Sequence, residues 1–271
     1  GNSGFAFDLY QEVRQKAENL FYSPHSISLA LAMAYAGARN NTESQMADTL
    51  HFSLTQEQLH PAFNALDLEL ASRGQGAEGQ DGPFHLLGGS QITVPMMSQT
   101  GYFRYASGDG YQAVEMPYDG KELSMVVFLP EAGRFEEFEA SLDAGRVEAI
   151  ADSLSLSYLW LSVPRFKYEW GLELVDTLEA MGMKDAFNAA ADFSGIDGTR
   201  ALVISEVIHK AFVSVNEAGT EAAAATAVIF SFGAAPSNPI ELTLDHPFIF
   251  LIRDIETGAI LFVGRVLNPG Q

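Results

Sequence analysis

A chain of 271 residues, of which 47% are hydrophobic, can bury a sizeable core in one large domain or two small ones. Its 35 acidic and 15 basic residues give a net charge of −20, which argues against binding to nucleic acid or to an anionic membrane. The absence of cysteine excludes a disulfide framework, a thiolate zinc site and a cysteine nucleophile, and leaves the compartment open.

The N-terminal part of the chain carries mainly helical patterns. Thr42, followed three residues later by Gln45, predicts a capping box that opens a helix ending near Leu50. The other elements predicted here are helices over 5–17, 26–38 and 55–70 and a short strand over 19–22.

After a Gly-rich linker predicted over residues 72–82, the patterns change to strands with helices between them. Short alternating runs bounded by Gly-rich turns are typical of antiparallel hairpins. This order of elements predicts the α+β class, with large antiparallel sheets in a single domain. Strands are predicted over 84–87, 91–94, 111–116, 123–129, 154–166, 243–254 and 259–266, helices over 135–153 and 171–181, and a mixture of both over 202–215.

Catalytic motifs are missing from the sequence. It contains no G-x-S-x-G, P-loop or H-E-x-x-H, and His51 and His60 lack the spacing of two metal ligands on one helix. Ser23 and His25 adjoin a helix start, where neighbours rarely face each other, so a capping serine is favoured over a nucleophile. We therefore expect no enzyme, no metal and no cofactor. Three glutamates are most simply a solvated helix face: Glu136, Glu137 and Glu139.

The segment 215–232, VNEAGTEAAAATAVIFSF, has an unusual composition. Apart from Glu221, residues 218–239 carry no charge, although surface loops are normally polar. Thr220 could cap an alanine-rich helix, whereas the run 228–232 favours a strand. Two interpretations stay open: a short buried helix leading into a strand, or a segment that switches between two conformations.

The C-terminal run LTLDHPFIFLI, residues 242–252, resembles the family signature of the serpins, the serine protease inhibitors. Further motifs occur in the order found in that family, so the chain is identified as a bacterial member with a serpin-like fold. These motifs are NLFYSP (19–24), GA (37–38), TE (42–43), VPMM (94–97), FLP (128–130), VPRF (163–166), DFSGI (192–196), HKA (209–211) and NP (268–269).

The resemblance implies a reactive-centre loop at about residues 217–240. In serpins this loop is cleaved by the protease and then inserts as a new strand into the main sheet, carrying the acylated enzyme with it. The alternating positions that would face inward carry no charge here, since Glu221 falls on the outward face. The residues that match the family's hinge are Glu217, Gly219, Thr220, Ala222, Ala223, Ala224 and Ala225.

A second set of family positions is the shutter, whose residues form hydrogen bonds beneath the opening sheet. On the resemblance, Ser23, Ser26 and His209 occupy these positions in this sequence. A purely structural histidine is compatible with the same assignment for His209.

The spacing usual in the family, counted from Glu217, places the reactive bond at Gly233–Ala234. Phe232 is an alternative, aromatic recognition residue for the protease. Lys and Arg are absent from residues 211–252, so a trypsin-like target that needs a basic residue is disfavoured. Chymotrypsin-, elastase- or subtilisin-like proteases are the expected partners, and the protein is expected to be a monomer.

The family pattern loses a block between Gly82 and Pro83. The block corresponds to three strands of the main sheet and two helices, on the order of 60–90 residues. Without it, loop insertion should be hindered and apolar faces of the helix over 26–38 should be exposed. Three explanations stay open: residues of the natural chain that this sequence omits, a deliberate deletion, or a degenerate member without inhibitory activity.

The last explanation corresponds to the alternative function, a non-inhibitory, serpin-like binding protein. For localisation we expect secretion, with the leader already removed, and a cytoplasmic location is the alternative.

Overall fold

The computed structural model describes residues 1–15, 18–52, 79–118, 120–215 and 238–270. Helices dominate the start of the chain and strands the rest, as the predicted α+β class requires. The predicted helix over 55–70 and most of the predicted linker lie outside the described residues.

Three helices and one short strand form the N-terminal part. The helix that follows β1 begins at Pro24 with Ser23 as its cap, two residues earlier than predicted, because proline has a helical φ and needs no amide partner at this position. Its buried side chains and those of the first helix pack beneath the sheets. The elements are α1 (Asn2–Val13), β1 (Leu20–Tyr22), α2 (Pro24–Tyr35) and α3 (Asn40–Thr49).

Nine of the described strands form one large sheet, in the order β1-β11-β10-β5-β4-β3-β6-β9, with β2 paired to β3 beside that path. All its pairs are antiparallel except β6–β9. The strands are β2 (Gly79–His85), β3 (Gln91–Gly108), β4 (Tyr111–Pro117), β5 (Leu123–Pro130), β6 (Ser155–Pro164), β9 (Ile240–Thr243), β10 (Phe248–Asp254) and β11 (Ile260–Val266).

A second sheet consists of β7 (Phe166–Glu173) and β8 (Ile208–Val215), paired antiparallel from Phe166 opposite Val215 to Glu173 opposite Ile208. Alternate side chains of β7 are buried, which is the pattern of a strand with one face on the core. The Phe166 ring contacts Phe248 and Phe250 at centroid distances of 5.9 and 5.5 Å, so the two sheets share one aromatic core.

Four short helices connect the later strands. The helix predicted over 135–153 is two helices, because Asp143 caps a new helix by accepting a hydrogen bond from the Arg146 amide at 2.7 Å. The helix predicted over 171–181 is shorter, since its first residues belong to β7. The four are α4 (Phe135–Ala140), α5 (Ala144–Ser153), α6 (Val175–Ala180) and α7 (Ser194–Asp197).

The predicted capping box at Thr42 is wrong. The helix begins at Asn40, and its cap residue Arg39 makes no side-chain cap hydrogen bond. Thr42 Oγ1 instead accepts a hydrogen bond from the amide of Asp192 at 2.9 Å, and Gln45 Oε1 accepts one from the amide of Asp185 at 2.6 Å. Both side chains therefore anchor the segment 185–192 to α3, a role that local spacing cannot reveal.

The prediction that Glu139 belongs to a solvated helix face is also wrong. This residue is 4% exposed, and its carboxylate accepts hydrogen bonds from Tyr10 Oη at 2.8 Å and from Arg265 at 2.6 Å. α4 therefore packs its acidic side chain inward, where a charged partner from β11 compensates for the lost solvation.

Two predicted segments, the linker and the strand over 91–94, differ in extent from the structure. The predicted linker ends earlier than expected, because β2 begins at Gly79 and runs through Gly82 and Pro83 in register with β3. β3 continues to Gly108 and turns into β4 at Gly110, whose φ of 76° suits glycine. The two strands therefore form an antiparallel hairpin around this turn.

Candidate functional site

The site begins at the N-terminus of α2. Ser23 has an extended backbone, and its Oγ accepts a hydrogen bond from the Ser26 amide at 3.1 Å and donates one to Ser26 Oγ at 2.9 Å. The cap satisfies one of the free amides of the first helical turn. It therefore fixes both serine side chains at the start of the helix.

β8 brings His209 to the same point. The Ser23 amide donates a hydrogen bond to His209 Nε2 at 3.1 Å, across 186 residues of sequence. A ring nitrogen that accepts a hydrogen bond is unprotonated, and burial lowers the pKa of His209 below its ordinary value. A neutral imidazole thus ties β8 to the start of α2.

These residues lie along a groove of about 480 Å³ between α2 and β8, which we call the shutter groove. One wall is the face of α2 that carries Ser26 and Ala30, continued one turn further by Met33, which is 68% exposed. An apolar helix face of this kind is normally covered by another element. The groove is lined by Ser23, Ser26, Ile27, Ala30, Leu174, Val207, Ile208, His209, Lys210, Ala211, Phe212 and Phe262.

β8 has one free edge within the described part of the chain. It pairs with β7 on one side, and no described strand pairs with its other side. Ile208 and Phe212 on this strand are 62% and 52% exposed. The segment that resembles the reactive-loop hinge follows directly after Val215, the last residue of this strand.

The model of a known protein family, described as serpin (serine protease inhibitor), matches residues 1–80 and 75–269 of the chain. The chain belongs to the serpin family. The two matched segments meet at residues 75–80 and together cover nearly the whole of this serpin.

Individual relatives support the assignment. An uncharacterised serpin-like protein of Thermococcus kodakarensis is 34% identical over 362 residues, covering 98% of this serpin and 84% of the relative. Leukocyte elastase inhibitor A of Rattus norvegicus is 31% identical over 374 residues, covering 99% and 98%. Both alignments are longer than the 271 residues of this serpin, so each relative contains residues that it lacks.

Solved structures share the fold. Uncleaved ovalbumin superimposes with a TM-score of 0.86 at 24% identity, covering 99% of this serpin and 98% of that chain. The thermophilic serpin tengpin in its native state gives 0.82 at 25% identity, covering 98% and 93%. The predicted serpin-like α+β fold is thereby confirmed.

The structure brings the predicted shutter residues of this serpin together, since Ser23, Ser26 and His209 form one hydrogen-bonded chain. The other predicted site residues lie outside the described residues, and their roles stay predictions. They are the hinge residues Glu217, Gly219, Thr220, Ala222, Ala223, Ala224 and Ala225 and the reactive-bond residues Phe232, Gly233 and Ala234.

Sequence reading missed a second polar cluster, at Glu115. Its carboxylate meets Arg104 and Arg253 at 2.6 Å each and accepts a hydrogen bond from Ser124 Oγ at 2.7 Å. Burial raises the pKa of Glu115, but the hydrogen bonds and charges of these partners outweigh it and lower the pKa overall. The sequence contained one indication of this cluster: Arg104 and Glu115 have opposite charges and lie at facing positions of neighbouring strands.

Within the described residues, no three His, Asp or Glu side chains are grouped so that they could hold a metal ion. None of the helices described there has the length and apolar character needed to cross a membrane.

The shutter histidine should make the stability of this serpin pH-dependent. Its folded-state pKa lies below the ordinary value of about 6.5. The stabilisation by neutral His209 is therefore complete above about pH 6.5 and is lost as the pH falls from there towards the folded-state pKa.

Glutamine at this position can still accept from the Ser23 amide but does not titrate. Between pH 7.5 and pH 5, the melting temperature of the protein with His209 should therefore fall further than that of the His209→Gln variant. Differential scanning calorimetry at both pH values tests this, and parallel pH curves for the two proteins would contradict it.

Proposed function

We propose that this serpin inhibits serine proteases as a suicide substrate. The protease cleaves the loop at about Gly233–Ala234, and the hinge segment then adds to β8 as a new strand. The absence of Lys and Arg from residues 211–252 supports chymotrypsin-, elastase- or subtilisin-like targets. Two family relatives named as elastase inhibitors agree with this choice of target class.

The observation that carries the proposal is the free edge of β8 above the shutter groove. An incoming strand that follows Val215 through a tight turn would run antiparallel to β8 and pair along its eight residues. Each backbone hydrogen bond gained in this way contributes about 0.5–1.5 kcal/mol. The new strand would also cover exposed apolar surface, including Phe212.

The receiving sheet is small, as expected from the block that the sequence lacks between Gly82 and Pro83. Within the described residues it contains only β7 and β8, so an inserted strand would pair on one side alone. We propose that the natural protein contains the block that this sequence lacks relative to the family pattern. That block would supply a strand for the other side of the inserted loop. An intact mass above 29.4 kDa for the protein isolated from its natural source would support this.

Incubation with chymotrypsin, elastase and subtilisin tests inhibition directly, with trypsin as the control. We expect a covalent complex that survives denaturing electrophoresis with at least one of the three and none with trypsin. Cleaved protein should also melt at a higher temperature than intact protein, because insertion adds a strand. Clean cleavage without either result would overturn the proposal.

The second candidate function is binding without inhibition, and a cavity of about 430 Å³ favours it. It lies between α1, α5 and the strands β5, β10 and β11, with apolar walls that include Val147 and Leu251 and with Arg104 and Arg253 on its polar side. A cavity of this size can hold a small molecule. Its polar side also carries Glu148, Asp152 and Glu256, and Glu115 already pairs with both arginines, so the lining does not select an acidic ligand.

Thyroxine-binding globulin complexed with thyroxine has the same fold, at 22% identity and a TM-score of 0.86. This likeness supports a binding function as a class and carries no ligand identity. The protease experiment separates the two candidates, because a pure binding protein would be cleaved without trapping the enzyme.

A further inference from the structure

Within the described part of the chain, the free edge of β8 carries a row of hydrogen-bonding groups without a strand partner. The Leu174 amide donates to the Val207 carbonyl at 2.8 Å, so the hydrogen-bonded pairs with β7 fall on the odd-numbered residues of β8. The backbone N–H and C=O groups of the even-numbered residues therefore point away from β7, to the free edge. These residues are Ile208, Lys210, Phe212 and Ser214.

The edge is accessible along most of its length. Ile208, Lys210 and Phe212 line the shutter groove and are exposed. Strand edges are usually protected from other strands by proline, by a bulge or by charge. β8 contains no proline and its register with β7 is unbroken, so the charge of Lys210 is the protection that this strand carries. An edge of this kind favours pairing with a strand from another molecule.

Two copies of β8 are complementary about a twofold axis at Ala211. Hydrogen-bonded pairs across the contact must join even-numbered residues, because these residues carry the outward backbone groups. Lys210 then lies opposite Phe212 of the second copy, and Ile208 lies opposite Ser214 of the second copy. With the pairs related by symmetry there are four, which exchange about eight backbone hydrogen bonds. A strand that complements itself needs no other partner.

The charges on the outer face favour this register. Glu169 lies opposite Phe212 on β7, so Lys210 of one copy extends across Phe212 towards Glu169 of the other copy. Strands lie about 4.8 Å apart, which puts the two Cα atoms about 10 Å apart, a distance that two long side chains can bridge. Neither Lys210 nor Glu169 has an ion-pair partner among the described residues. Each copy supplies both charges, so the contact contains two such pairs.

The neighbouring registers bring like charges together. A shift by two residues in one direction sets Lys210 opposite Lys210 of the second copy, which destabilises a strand pair. A shift in the other direction sets Lys210 opposite Ser214 of the second copy and in line with Lys167, which β7 places beside Ser214. The register with its axis at Ala211 is therefore preferred.

The inner face of the contact is apolar. Ala211 meets Ala211 of the second copy at the axis, and His209, which is neutral, lies opposite Val213 of the second copy. The second strand also covers part of the shutter groove, whose walls include Ala30 and Phe262. The net charge of −20 opposes association, but at physiological salt charges separated by more than about 8 Å are largely screened.

We infer that β8 of this 271-residue chain pairs with β8 of a second copy, forming a reversible dimer with a four-stranded sheet in the order β7-β8-β8-β7. The inference does not depend on protease inhibition. It concerns the chain as its sequence stands, since a strand of the block proposed above would compete for the same edge. One pair of strands gives a small interface, so we expect a Kd in the micromolar range.

Sedimentation velocity over about 1–100 μM, a range that brackets such a Kd, tests the inference. The unmodified protein should shift from 29.4 kDa towards twice that mass as its concentration rises. Lys210→Glu sets a carboxylate towards Glu169 of the second copy and should weaken the dimer at least tenfold. Lys121→Glu makes the same change of charge in the exposed turn between β4 and β5 and should leave the Kd unchanged.

A charge swap separates a contact between copies from a loss of folding. Glu169→Lys alone should also weaken the dimer, and the double variant Lys210→Glu with Glu169→Lys should restore it, because the pair is re-formed with its charges exchanged. Amide hydrogen exchange gives an independent readout. The amides of Lys210 and Phe212 should be protected at high concentration in the unmodified protein and should exchange fast in Lys210→Glu.

A protein that stays monomeric at about 100 μM would overturn the inference, since an interface of this kind predicts a micromolar Kd. A dimer with the same Kd in Lys210→Glu as in Lys121→Glu would place the contact elsewhere and would overturn it too, as would a charge swap that restores nothing. No protease takes part in these measurements, so their failure leaves the inhibitor proposal as it stands.

Discussion

Arginine at Ala224 should turn this serpin from an inhibitor into an ordinary substrate, whereas arginine at Ala223 should leave inhibition largely intact. In an inserted strand the side chains alternate between the two faces, and in the proposed register the even-numbered hinge residues would point inward. An arginine at Ala224 would bring a charge into the apolar interior beneath β8 and prevent insertion through its desolvation. At Ala223 the same side chain would stay in water, on the face that also carries Glu221.

The measurement is the number of inhibitor molecules consumed per trapped protease, determined by titration and by denaturing electrophoresis. We expect this number to rise more than tenfold for Ala224→Arg, with cleaved protein replacing the covalent complex, and to change less than twofold for Ala223→Arg. Because the two variants have the same charge and neighbouring positions, equal effects would contradict the inserted-strand register.

The second large effect is expected on stability, at the buried pair Glu139–Arg265. These residues are 4% and 2% exposed, and their 2.6 Å contact joins α4 to β11. Tyr10 of α1 donates to the same carboxylate oxygen, and Arg14 lies 3.5 Å from the other oxygen. Arg265→Met should cost about 3–5 kcal/mol of unfolding free energy, because it leaves a buried carboxylate without its main partner.

Urea unfolding followed by circular dichroism measures this loss. The double variant Glu139→Leu with Arg265→Met should be more stable than Arg265→Met alone, since no unpaired charge remains buried. The exposed pair Arg134–Glu137, at 3.1 Å, provides the control, and Arg134→Met should shift the unfolding midpoint little. Equal shifts for Arg134→Met and Arg265→Met would contradict the assigned role of burial.

Most elements of the fold were predictable because their signals are local. Alternation and turn residues predicted β4, β5 and β11 to within one residue, since a strand with one buried face shows its period directly in the sequence. The strand predicted over 243–254 began too early, because β10 starts at Phe248. The predicted start of α2 was two residues too late. Serine followed by proline is typical both of a turn and of a helix start, and Ser23 and Pro24 form the helix start.

The resemblance predicted which residues form the shutter but not which contacts they make. The resemblance named Ser23, Ser26 and His209, yet their hydrogen bonds join parts of the chain that are 186 residues apart. For the hinge and the reactive bond the prediction still rests on sequence alone.

The sequence by itself determined the family, the fold class and a segment, 218–239, in which Glu221 is the one charged residue, because ordered motifs and composition are properties of the chain. Tertiary structure alone decided the partners of Thr42 and Gln45, the burial of Glu139, the free edge of β8 and the exposure of Trp160 on β6. Each of these depends on which distant segments meet, and a pattern that extends over a few residues contains no information about that contact.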